Sequence, residues 1–289
     1  MLGEALPVLD DPTLVVMLAG WIDASASAAS AMSTLESETG AITIAVFDSD
    51  AFIDYRARRP TMQLRAGVNT QLLWPDIELK AGKDLDGRDI LMLTGPEPDM
   101  AWKRFGAATA ELGQRLGVTR MIALGAYPFA TPHTRPSRLS LSAPSADVVS
   151  SLPLLKNSVD VPAGVAAVLE HSFHDAGIEA LGIWVQVPHY VSSMAYPAAT
   201  VALLVGLNHV SGLRIEGAAP RRETIIQRER LDELVAGNDE HGAMVRQLES
   251  MYDIAVAEAE ADPPLTAAEI PTADELGAEF EQFLRDQNP

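Results

Sequence analysis

The sequence predicts an α/β fold with a mostly parallel central sheet, helices on both faces of that sheet and a helical C-terminal appendage. Aliphatic runs typical of buried strands alternate with helix-like segments up to about residue 215. A short hairpin pattern interrupts this alternation within residues 60–82. After residue 216 the chain becomes acidic and its apolar residues recur at helical spacing. We therefore expect a core domain of residues 1–216 and an acidic helical appendage of residues 217–289.

The first βαβ unit is the clearest local pattern. Residues 13–19 form a continuous aliphatic run that ends at Gly20, as expected of a strand buried on both faces. Asp23 is placed to cap a helix of small residues over 24–38. A second aliphatic run at 42–47 predicts another buried strand, and the intervening helix predicts that the two strands run parallel.

The remaining elements follow from the same patterns. Residues 62–65 and 69–74 predict a hairpin, to which residues 76–80 add a third short strand. A Pro- and Ser-rich stretch at 128–144 predicts a long loop with a short strand at 138–142. Further strands are predicted at 89–94, 120–124 and 180–187, and helices at 99–116, 163–175 and 197–210. The expected core comprises Val15, Met17, Ile44, Val46, Leu91, Leu93, Ile122, Leu124, Ile183 and Val185.

The appendage shows two helical patterns. Residues 224–259 predict a helical hairpin that breaks at Gly237 and ends before Pro263. A capping box at 272–275 opens a last amphipathic helix over 272–286. Its apolar stripe consists of Leu276, Phe280, Phe283 and Leu284 and requires cover from the chain's own core or from a second copy.

Composition restricts the classes of function. The 289 residues include 40 acids and 21 bases, giving a net charge of −19, which disfavours nucleic acid and anionic membranes as partners. The chain has no cysteine, which excludes disulfides, cysteine-ligated zinc and thiol catalysis. The N-terminus lacks a signal-peptide pattern and the longest apolar run, 198–207, is too short to span a bilayer. These features predict a cytoplasmic protein.

The densest polar cluster lies at residues 47–60, directly after a predicted strand. Such strand ends are where open α/β sheets bind ligands. One interpretation is a clamp for an anion or a peptide carboxylate, with an arginine as bidentate donor. The other is a structural network in which Asp48, Asp50 or Asp54 pairs with an arginine of the same stretch. The arginines are Arg56, Arg58 and Arg59.

Other candidate binding residues follow the remaining predicted strands. Because the carboxyl ends of parallel strands meet at one edge, these residues are expected to gather at a common rim with the 47–60 cluster. No phosphate loop, nucleophile elbow, dinucleotide fingerprint or zinc-binding motif occurs in the sequence, so no catalytic residue, metal or cofactor is predicted. The rim candidates are Gly20, Trp21, Asp23, Gly95, Glu97, Gly125, Tyr127, His189 and Tyr190.

Four stretches together resemble the proteasome assembly chaperone type 2 family. They are AGWID at 19–23 with the helix that follows, residues 47–60, LTGPEP at 93–98 and VPHY at 187–190. The resemblance covers roughly residues 10–215 and implies an α/β/α sandwich similar to the purine nucleoside phosphorylases. It also implies a chaperone-like role with proteasome subunits or another protein as partner. Family members dock on proteasome rings through a C-terminal hydrophobic–Tyr–any-residue motif, whereas this sequence has Asn288 at the tyrosine position.

Two hypotheses of function remain open on the sequence alone. The first is a non-enzymatic protein-binding or chaperone-like homo-oligomer, with a trimer as the specific expectation. The second is an enzyme or binder acting on a small anionic or nucleoside-like ligand at the strand-end rim. The phosphorylase-like architecture motivates the second hypothesis, although a fold does not imply a function.

Overall fold

A computed structural model describes residues 6–261 of the chain. Seven strands form one mixed sheet in the order β2-β5-β6-β1-β7-β9-β8, and two strands form a separate hairpin, β3–β4. The strands are β1 (Thr13–Ala19), β2 (Ile42–Val46), β3 (Thr61–Arg65), β4 (Val68–Leu73), β5 (Glu78–Lys83), β6 (Asp89–Pro96), β7 (Arg120–Phe129), β8 (Leu139–Ser142) and β9 (Glu179–Pro188).

The predicted mostly parallel sheet is confirmed. β1 lies at its centre and pairs in parallel with β6 on one side and β7 on the other, and β7 pairs in parallel with β9. β5 and β8 run in the opposite direction to the other five strands. The central strands are buried on both faces, as in other parallel sheets covered by helices, so their aliphatic runs show no alternation.

Helices cover both faces of the sheet, so the sheet and its helices form a three-layer structure. α1 and α5 pack with one face, and α2 and α4 pack with the other. α6 lies against α5, and α7 lies against α6. The helices are α1 (Ser27–Glu38), α2 (Trp102–Arg115), α3 (Ala146–Ser151), α4 (Val165–Asp175), α5 (Pro197–Ser211), α6 (Ala218–Ala236) and α7 (Asp239–Ala261).

Two expectations about the edge of the sheet are wrong. β2 is parallel to β1 in direction, as predicted, but it is an edge strand and not a buried one, with Ile42 and Val46 exposed. Residues 78–83 do not extend the hairpin but form β5, which inserts between β2 and β6. The polar sequence of β5 hides this insertion, because Lys80 and Lys83 are satisfied by ion pairs with Glu36 and Asp89.

Most of the predicted core is buried. Val46 is exposed for the reason just given, and Met17 and Ile44 are half-buried, whereas the other seven predicted residues are buried.

The two helices predicted over 224–259 are present as α6 and α7, which meet at Gly237 as expected. The predicted last helix over 272–286 lies outside the described residues. Among residues 6–261 no helix is long and apolar enough to cross a membrane.

Candidate functional site

The predicted rim lies where β1, β6, β7 and β9 end. Glu97, which follows β6, is buried, and its backbone N–H donates a 2.7 Å hydrogen bond to the carbonyl of Ala19 at the end of β1. The Glu97 carboxylate accepts a hydrogen bond from the backbone N–H of Val165, the first residue of α4. This places a negative charge at the positive end of the α4 dipole. Glu97 therefore fastens α4 to the strand ends.

Gly20 and Trp21 complete this part of the rim by close packing. A Cβ atom on Gly20 would lie 2.8 Å from Arg58 Nη2 and 3.0 Å from Glu97 Cβ, so no larger residue fits there. A Cβ on Gly164 would lie 2.9 Å from the indole of Trp21. The rim between β1 and α4 is therefore filled by the side chains of Arg58, Glu97 and Trp21.

The predicted charge network has a different partner from the one expected. Arg58 is half-buried, and its Nε lies 3.0 Å from Oδ1 of Asp99, which also accepts a hydrogen bond from the backbone N–H of Asp54. Arg58 Nη1 also approaches the carbonyl of Ala19 at 3.4 Å. The prediction of a pair with Asp48, Asp50 or Asp54 is therefore wrong, because the acid comes from the loop after β6.

The other charged residues of the 47–60 cluster are more exposed. Within residues 6–261, Arg56 and Arg59 form no ion pair. Asp48 precedes a 3-10 turn that begins at Ser49, and its side chain is exposed. Desolvation raises the pKa of Tyr55, and the exposed carboxylate of Asp50 adds to this rise. As far as the structure describes the chain, the guanidinium groups of Arg56 and Arg59 are thus exposed and unpaired.

Asp23 has a structural task, as its sequence position predicted. Its two carboxylate oxygens accept hydrogen bonds of 2.9 and 3.0 Å from the backbone N–H groups of Ala28 and Ala29 in the first turn of α1. Burial raises its pKa, although these hydrogen bonds counteract the rise. The residues between Asp23 and α1 are strained, since Ser25 and Ala26 both adopt the left-handed conformation.

Gly95 and Gly125 serve packing. Gly95 has a φ of +126°, and a Cβ there would lie 2.3 Å from the carbonyl oxygen of Asp76. Gly125 lies under the indole of Trp184. Both glycines are therefore required by close approach, and their main role is in the fold.

Tyr127 and His189 are placed differently. The Tyr127 hydroxyl accepts a hydrogen bond of 3.2 Å from Nε2 of Gln186 and lies 3.3 Å from Oγ of Ser140. His189 is exposed, and its ring meets the Tyr190 ring edge-on at 5.4 Å. His189, which follows β9, is therefore the more exposed of these two residues.

Tyr190 belongs to a cluster that the sequence analysis missed. Its hydroxyl accepts a 2.8 Å hydrogen bond from the backbone N–H of His133 and lies 2.7 Å from His133 Nδ1. Nε2 of His133 lies 3.1 Å from Oδ1 of Asp232 on α6. Burial lowers the pKa of His133, so the neutral ring accepts from the tyrosine and donates to the carboxylate. The long loop after β7 is thereby joined to the appendage.

Further contacts extend this clasp between the loop and the helices. Thr134 donates a hydrogen bond of 2.5 Å to Glu249 on α7, and Arg135 forms ion pairs with Glu249 and Asp253. The Tyr252 hydroxyl donates to the carbonyl of Pro136. The sequence carried one signal of this surface, the acids at i and i+4 on α7, but not the identity of their partner.

The comparisons with known proteins identify the relatives of this architecture. The sequence matches the PAC2 family over residues 17–235. The chain belongs to the PAC2 family. No curated protein matches it.

Several solved structures are similar to this PAC2 protein. A Corynebacterium glutamicum protein of unknown function is 32% identical, with a TM-score of 0.82 over 89% of this chain and 98% of that one. A Mycobacterium tuberculosis proteasome-assembly chaperone homologue is 31% identical, with a TM-score of 0.74 over 81% of this chain and 99% of that one. Pyrococcus furiosus PbaB, an archaeal proteasome activator, has a TM-score of 0.62 at 17% identity, over 79% of this chain and 95% of that one, and supports the fold alone.

Proposed function

We propose that this PAC2 protein is a non-enzymatic, chaperone-like protein that binds proteasome subunits or another protein through its strand-end rim. One observation carries the proposal: the polar groups between β1 and α4, those of Arg58 and Glu97, are paired internally, while large apolar side chains at the same edge are exposed. Trp21 and Ile22 follow β1, Met100 follows β6, Phe129 ends β7 and Met194 follows β9. Exposed apolar patches rich in aromatic residues and methionine are typical of protein interfaces.

The filling of the rim argues against the alternative of a small anionic ligand there. A helix N-terminus facing strand ends is an anion site in many α/β enzymes. Here the N-terminus of α4 is taken by the Glu97 carboxylate, which repels a second anion. The similarity to a proteasome-assembly chaperone homologue also favours a protein, and not a small anion, as the partner.

A pull-down with immobilised protein tests this proposal. Proteasome α-subunits are expected to be retained at low salt, with free β-subunits as the control. Trp21→Ala is expected to reduce retention, whereas Leu85→Ala, an exposed residue next to β5, is expected to leave it unchanged. Failure to enrich α-subunits over β-subunits would remove the proteasome as partner.

We further propose that the protein is a homo-oligomer, with a trimer as the specific expectation. Its appendage supports this, because Ile225 and Ile226 on α6 and Met251 and Ile254 on α7 are exposed. Closed symmetric assemblies bury such surfaces in soluble proteins. Sedimentation equilibrium at tens of micromolar tests it, and a species of 30.9 kDa would refute self-association. A form ending near Gly217 that assembles unchanged would place the interface on the core domain.

A further inference from the structure

The β3–β4 hairpin, here called the arm, requires a partner surface. Within residues 6–261 its two strands pair with each other and with no strand of the main sheet. All its residues are exposed except Gln63, which is half-buried. A two-stranded hairpin without further cover is at best marginally stable in water. The arm is therefore expected to be stabilised by contacts beyond those of the described residues.

One face of the arm is apolar. Met62 pairs directly across the hairpin with Leu72, so these two side chains project from the same face. Leu64 is two residues along β3 and projects from that face as well. Their exposed fractions are 52% for Met62, 52% for Leu64 and 41% for Leu72. The opposite face is mixed: it carries Gln63 paired with Gln71, and also Leu73 opposite Thr61 and Val68 opposite Arg65.

The arm and its base carry a positive charge that contrasts with the rest of the protein. Residues 55–74 contain four arginines and no acid, in a chain of net charge −19. Arg58 is paired with Asp99, whereas Arg56, Arg59 and Arg65 form no ion pair within residues 6–261. The surface that covers the arm should therefore combine apolar side chains with carboxylates.

One segment of this chain has that chemistry. Residues 272–286, outside the described residues, contain five acids and one arginine. Their sequence places Leu276, Phe280, Phe283 and Leu284 at helical spacing, with Glu279 and Glu281 among them. The segment is thus complementary to the arm both in charge and in apolar character.

We propose that the acidic segment 272–286 binds the apolar face of the arm, through Phe280 and its apolar neighbours against Met62, Leu64 and Leu72 and through its carboxylates against Arg56 and Arg59 at the base of the arm. The connecting residues 262–271 span at most about 36 Å when fully extended, which limits the segment to an arm within that distance of Ala261, in the same copy or in an adjacent one. This contact uses none of the exposed apolar residues of the strand-end rim and goes beyond the proposed function.

Disulfide cross-linking in the full-length chain tests the proposal. The native chain has no cysteine, so each introduced pair is the only route to a disulfide. Leu72→Cys with Phe280→Cys is expected to cross-link at least about tenfold faster than Gln71→Cys with Phe280→Cys, because tethered and docked partners have a high effective concentration. The second pair differs only in the face of β4 from which the cysteine projects.

A second test changes the charge near the proposed contact. Adding Arg59→Glu, at the base of the arm, to the fast pair is expected to slow cross-linking severalfold, and so is 1 M salt, which shortens the Debye length to about 3 Å. Arg222→Glu, an exposed residue on α6, serves as the matched control and should have no effect. Unchanged thermal unfolding of each reduced variant verifies that it is folded. A disulfide within one chain or between two chains supports the contact. Equal cross-linking rates for the Leu72 and Gln71 pairs overturn it. So does a Leu72→Cys single variant that dimerises faster than the Leu72–Phe280 pair cross-links.

Discussion

Arg135 in the loop after β7 donates two hydrogen bonds of 2.8 Å to the carboxylate of Asp253 on α7. These bonds lower the pKa of Asp253, and the same guanidinium also contacts Glu249 one turn earlier. A bidentate arginine–carboxylate pair fixes geometry as well as charge. The loop thereby sets the position of α7 relative to the core domain.

Arg135→Ala is expected to loosen α7 from the loop without unfolding the sheet. The backbone amides of α7 should lose protection in hydrogen exchange, while those of β1 and β7 keep theirs, because local opening is governed by local contacts. Arg115→Ala removes an exposed pair within α2 and is the matched control. Equal loss of protection in α7 for both variants would show that the clasp does not hold the helix.

The burial of Glu170 predicts an unusual pH dependence of the free energy of unfolding. It is buried at the α4–β9 contact, where desolvation raises its pKa to about 7 despite a hydrogen bond from Ser142. The folded state therefore binds a proton more tightly than the unfolded state, whose carboxyl has a pKa near 4.5. The contribution of Glu170 to the free energy of unfolding is complete below about pH 4.5 and falls by about 3 kcal/mol as pH rises to 7.

Glu170→Gln is expected to abolish this loss, because a neutral amide does not titrate. Urea unfolding of both proteins between pH 5 and 8 measures it as a difference curve, which removes contributions of other groups such as His133. Glu111→Gln, exposed on α2, is the control. A difference curve without slope over this range would contradict the prediction.

Glu97→Ala is expected to destabilise the protein by about 1–3 kcal/mol, because the buried backbone N–H of Val165 loses the carboxylate that accepts its hydrogen bond. Glu97→Gln should cost less, since it keeps an acceptor and loses only the charge at the helix terminus. Urea unfolding at neutral pH gives both values, with Glu229→Ala on the exposed side of α6 as control. The idea fails if the alanine and glutamine variants are equally stable.

Tyr190→Phe is expected to weaken the join between the loop and the appendage. It leaves the backbone N–H and Nδ1 of His133 without the hydroxyl that both contact, a loss of about 1–3 kcal/mol for buried groups. Thermal unfolding measures the stability change. Tyr252→Phe, which removes one exposed hydroxyl contact to Pro136, should have a smaller effect, and the reverse order would contradict the assignment.

The central strands could be predicted from sequence because their burial leaves no ambiguity. Leu91 and Leu93 are wholly buried, and their neighbours in β6 are aliphatic too, so the run itself reports a strand covered on both faces. The sequence of β2 has the same aliphatic character, yet β2 is at the edge. Its position depends on β5, a polar strand that the sequence pattern assigned to the hairpin and not to a place between β2 and β6.

The candidate site was predictable only in its location. The residues that follow each strand do meet at one edge, because parallel strands require it. The pairing of Arg58 with Asp99 could not be predicted, because Asp99 lies 41 residues away and other acids lie nearer to Arg58 in the sequence. The contact between His133 and Asp232 joins residues 99 positions apart, and a single histidine in a loop carries no signal of it.

The central position of β1 has a consequence for how the chain folds. β1 is made first, but its neighbours are β6 and β7, so Leu14 finds Leu91 only after most of the intervening chain exists. Pairings of such long sequence separation slow folding. During synthesis the apolar run of β1 therefore remains unpaired until β6 has emerged, which leaves an aliphatic segment open to non-native contacts in the meantime.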